Sequence, residues 1–388
     1  MFSTPNALLW AIFRPLARLV LRLRLNVTAP RCRMKAPYVL LCNHSSYYDP
    51  LLAAVSVDRP LRFCGSDRAP WRGFLLRLTR WLQLPEALTL DEALAEAAAR
   101  KKCLGLFPEG TRCIDGVTGP IPPDLGEKLL ASGLGLVTLR ISGAYFTAPR
   151  WADDFPRRGR ITVRTVRTLE PAMLQALDAA ELQALIERDL REDACATAKK
   201  RPAPYRGEHL AAGLERLLFL CPKCGAIGRM EGRERFFGCK GCGFETVYTL
   251  TGGFRGGGVP FADLREWSRW QEGRIRLLCE AAGEGPIFED EGFELYVLQP
   301  GGAERVGSGG LQLYRDRLEL PTGVAVAIGE IESLRLGGSS RLLLKSKRGS
   351  RFELDTVRAV CAAKYITALD ILKEIEKNRG QDHEQDRI

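Results

Sequence analysis

The chain is poor in the side chain that most readily exchanges a proton near neutral pH: its 388 residues include three histidines. Two of these, His209 and His383, sit in ordinary polar contexts, which leaves His44 as the candidate for proton transfer. Long uncharged apolar runs are missing too. None reaches the roughly 18–20 residues that a bilayer-crossing helix needs, so no segment reads as spanning a membrane. The N-terminal apolar stretch is interrupted by Arg14, Arg18, Arg22 and Arg24 and does not read as a secretory signal. A reducing compartment is therefore expected, and the twelve cysteines read as thiols or metal ligands rather than disulfides. Eight of them are scattered singly and four form two C-x-x-C pairs.

What is present is globular in character. Hydrophobic residues make up 45% and charged residues 27%, and the length suits two or three domains. The formal net charge is +10, which fits an anionic partner: a membrane surface, an anionic substrate or nucleic acid. Arginine supplies much of the excess, and its planar fork matches phosphate.

The stretch Asn43-His44-Ser45-Ser46-Tyr47-Tyr48-Asp49-Pro50 follows an apolar run, Tyr38 to Cys42, that reads as a buried strand. It precedes Leu51 to Val57, which reads as a short helix. His44 thus falls at a strand's carboxyl end, where open α/β sheets place chemistry. Asp49 lies five positions on and can turn back to fix the imidazole tautomer. A structural alternative stands beside this: Asp49 before Pro50 also reads as a helix N-cap with proline at the first helical position.

A second stretch has the same form. Cys103 to Phe107 reads as a buried strand and runs into Pro108-Glu109-Gly110-Thr111-Arg112. The two motifs together, N-H-x-x-x-x-D and F-P-E-G-T-R, resemble those of the glycerolipid (lysophospholipid) acyltransferase family over roughly the first half of the chain. That resemblance implies an α/β sandwich and transfer of a fatty acyl group from acyl-CoA or acyl carrier protein to a lysophospholipid hydroxyl. The favoured acceptor is 1-acylglycerol-3-phosphate; another lysolipid or a glycolipid is the alternative. His44 would be the general base, partnered by Asp49. Asn43, Glu109, Gly110, Thr111 and Arg112 would bind substrate, with Arg112 forking onto a phosphate. Two departures bear on the acceptor. Leu84-Pro85-Glu86-Ala87 lacks the arginine common at the end of an intermediate motif, with Arg68 or Arg80 as possible substitutes. Thr138 stands where a later motif usually has proline.

Around these motifs the chain alternates strands and helices. Residues 1–27 read as an interfacial helix whose Arg14, Arg18 and Arg22 share one face, with Pro15 bending or dividing it. This fits peripheral attachment to anionic lipid on the cytoplasmic face of the cell membrane. Trp71 to Leu84 also suits lipid or an acyl chain. Residues 28–205 form the acyltransferase domain. Strands are expected at Leu61–Cys64, Gly135–Ile141 and Ile161–Val166. Helices are expected from Asp91 to Lys101, with Asp91 as N-cap, from Glu127 to Ser132, and as one amphipathic run from Asp178 to about Lys200.

Residues 213–250 carry Cys221-Pro222-Lys223-Cys224 and, fourteen residues later, Cys239-Lys240-Gly241-Cys242. Two such pairs, each followed by glycine, match a four-cysteine zinc ribbon, a closed structural site; iron is the lesser alternative. Residues 254–283 read as a helical linker. Residues 286–378 alternate as some seven short strands before a final helix, a pattern resembling a PH-like β-barrel that would bind a protein or lipid, and 379–388 read as a disordered tail. A second function class remains: a non-enzymatic adaptor binding lipid or nucleic acid through the ribbon, where Lys223, Arg229, Arg233, Arg235 and Lys240 lie with Phe236 and Phe237 available for stacking. Glu231, Glu234 and Glu245 weigh against nucleic acid as a partner.

Overall fold

The computed structural model describes residues 7–35, 37–63, 89–299, 302–356 and 361–385. Trp71 to Leu84, Arg68, Arg80 and the Leu84–Ala87 segment lie outside the described residues. The chain divides into two compact units. One runs to Leu210 and takes back Thr249–Gly253; the other comprises Ala211–Tyr248 and the chain from Phe254 onward.

The elements of the first unit are α1 (Ala7–Leu25), β1 (Val27–Thr28), β2 (Tyr38–Cys42), α2 (Asp49–Val55), β3 (Leu61–Phe63), α3 (Leu90–Ala99) and β4 (Cys103–Leu106). They continue with α4 (Leu125–Ser132), β5 (Gly135–Ser142), α5 (Ala144–Thr147), β6 (Ile161–Leu169), α6 (Pro171–Leu174), α7 (Ala179–Leu190) and α8 (Ala194–Lys200). The strands form one sheet in the order β1-β6-β5-β2-β4-β3, parallel except where β6 pairs antiparallel with β5. β2 is apolar throughout because both its faces are covered. Leu40 and Cys42 pack with Leu51 and Leu52 of α2 and Leu21 of α1. Val39 and Leu41 pack on the other side with Ala93 of α3, Leu129 of α4 and Ile186 of α7.

The parallel pairing of β2 with β4 positions the site. Leu41 lies opposite Leu106, so the chain leaves both strands at the same end of the sheet. The histidine motif and the F-P-E-G-T-R motif therefore emerge side by side. Gly105 is needed within β4 because a Cβ there would run into the ring of Phe63.

Several local expectations change. α1 runs unbroken through Pro15. Its Arg14 turns inward to Asp58 and the Val57 carbonyl, and Arg18 donates to the carbonyls of Ala29, Pro30 and Val55. The face open to solvent is instead apolar, with Ile12, Leu16, Leu19 and Leu23 each more than half exposed. α3 is capped by Thr89, not Asp91, through a capping box with Glu92. The long run from Asp178 is two helices. Asp178 caps α7, the chain extends at Arg191, and Asp193 caps α8. Backbone pairing wins at the break: Thr118 N donates to Glu192 O (3.0 Å) and Ala194 N to Gly116 O (2.9 Å). Thr138 takes up its own role, donating to the buried Asp189 of α7 (2.9 Å), which also accepts from Arg167 (2.8 and 3.1 Å).

The second unit begins with β7 (Met230–Arg233), β8 (Phe236–Cys239), β9 (Glu245–Tyr248) and β10 (Phe254–Arg255), an antiparallel sheet in the order β10-β9-β8-β7. α9 (Leu264–Glu280) does more than link modules. Its Trp267 lies against the rings of Phe237, Phe244 and Phe254, and its Gln271 accepts from Phe219 N and Leu220 N at 2.8 and 3.0 Å. Phe237 is consequently fully buried, and only Phe236 offers a ring to solvent. Then follow β11 (Phe288–Gln299), β12 (Gly302–Leu313), β13 (Arg317–Glu319), β14 (Ala325–Ala327), β15 (Ile331–Gly337), β16 (Arg341–Ser346) and β17 (Arg351–Thr356), and α10 (Ala363–Gln385). The seven strands make one antiparallel sheet, ordered β14-β13-β12-β11-β17-β16-β15. α10 continues past Asn378, the point at which a disordered tail was expected; once begun, a helix gains one hydrogen bond for each residue added.

Candidate active site

At the end of β2 the backbone turns sharply and Asp49 closes the turn. It is not an N-cap: Tyr48 occupies that position without a side-chain bond, and Asp49 is the first residue of α2. Its Oδ2 instead accepts from Ser45 N (2.6 Å), Ser46 N (2.7 Å) and His44 Nδ1 (3.0 Å). A carboxylate that accepts from Nδ1 assigns that nitrogen the proton, leaving the lone pair on Nε2. Burial lowers the His44 pKa and Asp49 opposes the shift, so at neutral pH the ring is held as the free base. The ring stacks on Phe107 at 4.3 Å, and Phe107 on Phe63 at 5.2 Å.

The F-P-E-G-T-R loop is tied to this turn through Glu109. Its Oε1 accepts from His44 N (2.6 Å) and its Oε2 from Gly119 N (2.7 Å). The side chain is buried, and that burial pushes its pKa up to about 8. Gly110 turns with φ of 66°, a conformation that costs other residues energy. Cys113 N donates to the His44 carbonyl (2.9 Å), a second tie between the motifs.

Arg112 is buried, with its guanidinium 3.4 Å from the centre of the Tyr47 ring. Its Nη1 has no hydrogen-bond partner among the described residues. Thr111 is held by a neighbouring arginine: its Oγ1 accepts from Arg150 (2.6 Å), which also donates to the Arg112 carbonyl (2.7 Å). Arg150 escaped the sequence reading because it belongs to neither motif. Burial, then the neighbouring Arg112, depress its pKa to about 9. Asn43, expected to bind substrate, has its amide engaged with β5: Nδ2 donates to Ile141 O (2.9 Å) and Oδ1 accepts from Ile141 N (2.8 Å). It anchors the end of β2 to the next strand.

Residues 24–142 match the family model named Acyltransferase. The first unit carries an acyltransferase domain. This agrees with the family read from the two motifs, and both lie inside the matched span. No curated protein matches the chain's sequence. Among solved structures the chain is similar to the crystal structure of the 1-acyl-sn-glycerophosphate (LPA) acyltransferase PlsC from Thermotoga maritima. The similarity covers 50% of this chain and 80% of that one, at 16% identity and a TM-score of 0.36.

Apart from the acyltransferase domain, the second unit brings its four paired cysteines together. The sulfur atoms of Cys221, Cys224, Cys239 and Cys242 all lie within 4.8 Å of one another. Cys221 and Cys242 are 3.7 Å apart and Cys224 and Cys239 3.8 Å. A tetrahedron with metal–sulfur bonds of about 2.3 Å has edges of about 3.8 Å, so the spacing fits one metal ion. Gly225 and Gly243 adopt φ of 72° and 69° and let each knuckle close. Glu231 pairs with both Arg233 (2.6 Å) and Lys240 (2.7 Å), which neutralises part of the ribbon's basic surface.

The buried Glu109 carries a pH signature. Its folded-state pKa of about 8 stands above the 4.5 of an unperturbed glutamate, so the folded protein binds that proton more tightly. The resulting stability is fully present below the unfolded value and is lost as pH rises through about 8. Glu109→Gln, which has no such proton to lose, should flatten the fall in urea midpoint between about pH 5 and about pH 9. Identical pH profiles for wild type and variant would contradict the burial assigned to this carboxyl group.

Proposed function

We propose that the protein is a membrane-associated O-acyltransferase moving a fatty acyl group from an acyl thioester to a lysophospholipid hydroxyl, with 1-acylglycerol-3-phosphate the favoured acceptor. The observation that carries this reading is the 3.0 Å contact that directs the proton to His44 Nδ1. Among the described residues, Nε2 has no partner, so it can receive the acceptor's hydroxyl proton as the oxygen attacks the thioester carbonyl. Asp49 then stabilises the imidazolium that forms. Collapse of the tetrahedral intermediate breaks the carbon–sulfur bond, and the imidazolium returns the proton to the departing thiolate. Arg112, whose buried Nη1 has no partner among the described residues, supports a site for the acceptor's phosphate.

General-base catalysis contributes about 10²–10⁴-fold, so His44→Ala should lower turnover by that order in folded protein. Asp49→Asn keeps an oxygen to accept from Ser45 N and Ser46 N yet cannot hold the imidazolium, so it should lose turnover while its melting temperature stays near wild type. Near wild-type acyl transfer by His44→Ala with any lysolipid would end this mechanism and favour the adaptor reading. Release of free thiol from acyl-CoA separates the two classes directly.

The exposed stripe Ile12, Leu16, Leu19 and Leu23, with Arg22 and Arg24 beside it, supports peripheral attachment through α1. Among the described residues no helix is long and apolar enough to cross a membrane. Leu16→Glu combined with Leu19→Glu should move the protein from sedimenting anionic vesicles to the supernatant; unchanged sedimentation would assign attachment elsewhere.

Zinc is the metal we favour for the four thiolates, because a closed set of soft ligands at this spacing suits it. Elemental analysis should find about one zinc per chain, and Cys224→Ser should lower stability without altering acceptor preference. Metal-free protein with an unchanged melting temperature would remove the assignment. Seven antiparallel strands followed by the C-terminal helix α10 also support a PH-like second module.

A further inference from the structure

A cavity of about 250 Å³ opens beside the C-terminal end of β5. Five cations line it: Arg140 on β5, Arg160 just before β6, Arg164 on β6, Lys200 at the end of α8, and Arg201. The hydroxyls of Ser142, Thr162 and Thr197 face the same space. The one carboxylate in the lining is Glu192, which is buried and whose pKa is raised by that burial. Its Oε2 accepts from Ser142 Oγ (2.9 Å), and its Oε1 is buried without a partner among the described residues.

The cations are not there to offset acids. Arg140 and Arg164 stand directly opposite each other across the β5–β6 pair, and like charges so placed destabilise a sheet. Arg140 has a structural duty, donating to the carbonyls of Asp189 (2.9 Å) and Arg188 (2.7 Å) at the end of α7. Arg160, Arg164, Lys200 and Arg201 form no ion pair among the described residues, and all four are exposed. A concave, hydroxyl-lined space with this excess of positive charge fits phosphate groups.

The cavity also lies next to the acyltransferase site. It shares Gly143 and Glu192 with a smaller cavity that reaches His44 and Glu109. Gly143 keeps the partition thin: its φ is 85°, and a Cβ there would collide with the Arg160 carbonyl. Across the sheet, the end of β2 and β6 are separated by β5, two strand spacings or about 10 Å. An acceptor's phosphate, joined to the reacting carbon framework through one carbon and one oxygen, belongs closer, near Arg112. A phosphate at the far end of a pantetheine arm has the required reach.

We propose that this cavity binds the phosphate-bearing nucleotide end of the acyl donor, so that the donor is acyl-CoA rather than acyl carrier protein. The inference rests on the acyl-transfer reading given above, and it adds a specificity site outside both motifs.

The test titrates full-length, metal-loaded protein with adenosine 3′,5′-bisphosphate in a calorimeter. Wild type should bind, and Arg164→Glu combined with Lys200→Glu should weaken binding at least about tenfold. Arg269→Glu, a charge reversal at an exposed position of α9, should leave it unchanged. Because both cavity residues are exposed, the variants should keep the wild-type melting temperature; Arg164→Gln with Lys200→Gln supplies a milder pair expected to show a smaller loss. In turnover, KM for acyl-CoA should rise by about the same factor while KM for the lysolipid and kcat hold. No nucleotide binding by wild type, or equal binding by the double variant, overturns the proposal. So does a rise confined to the lysolipid KM, or productive use of acyl carrier protein that the nucleotide does not inhibit. Loss of nucleotide binding in a protein that transfers no acyl group would keep the cavity and remove the acyl-transfer reading.

Discussion

Asp49 Oδ2 takes hydrogen bonds from two successive backbone amides and from the imidazole of His44. Three donors converging on one buried oxygen fix the loop, the ring and the tautomer together. The arrangement is also what makes the aspartate hard to replace. A neutral side chain with one acceptor can satisfy the amides, but only a charge can hold the protonated ring. Glu109 does the equivalent work for the opposite loop, gripping His44 N with one oxygen and Gly119 N with the other. Two acidic side chains thus join two loops that come from adjacent parallel strands. Each oxygen bond is local, yet the parallel register of β2 and β4 is what brings the loops within reach.

Much of this was legible because the signals were short-range. β2 was expected at Tyr38–Cys42 and lies there, since five consecutive apolar residues between turn-forming residues leave little choice. The motif residues His44, Asp49, Glu109 and Arg112 come together as their positions at strand ends imply. What was not legible depended on which side of an element another element covers. Arg14 and Arg18 share a helical face, but sequence spacing does not say whether that face meets solvent or the carbonyls of residues 29–30 and 55–57. The break between α7 and α8 follows no glycine or proline; it exists because residues 116–118 compete for the backbone groups of residues 192–194. Arg150 reaches the site from a loop after α5, without any local pattern to announce it.

In the second unit the same limitation hid the role of α9. Its Trp267 and Gln271 are internal to the ribbon's packing, one filling the aromatic cluster and the other satisfying the amides of Phe219 and Leu220 just before Cys221. The first cysteine knuckle is therefore braced from behind by a helix, so that a metal held by the four thiolates would be coupled to helix docking. Burial of Phe237 in that cluster, together with the pairing of Glu231 to Arg233 and Lys240, leaves the ribbon little of the stacking surface a nucleic-acid binder uses.

The inward arginines of α1 have a mechanical consequence. Arg14 reaches the Val57 carbonyl and Arg18 the Val55 carbonyl, so α1 is bolted to the end of α2, the helix whose first residue is Asp49. Two guanidinium stems set the offset between the exposed leucines of α1 and the His44–Asp49 turn. If α1 floats in a lipid surface, those stems act as a depth gauge: they fix how far above the hydrocarbon the imidazole rides, and hence which hydroxyl along an upright lipid it meets.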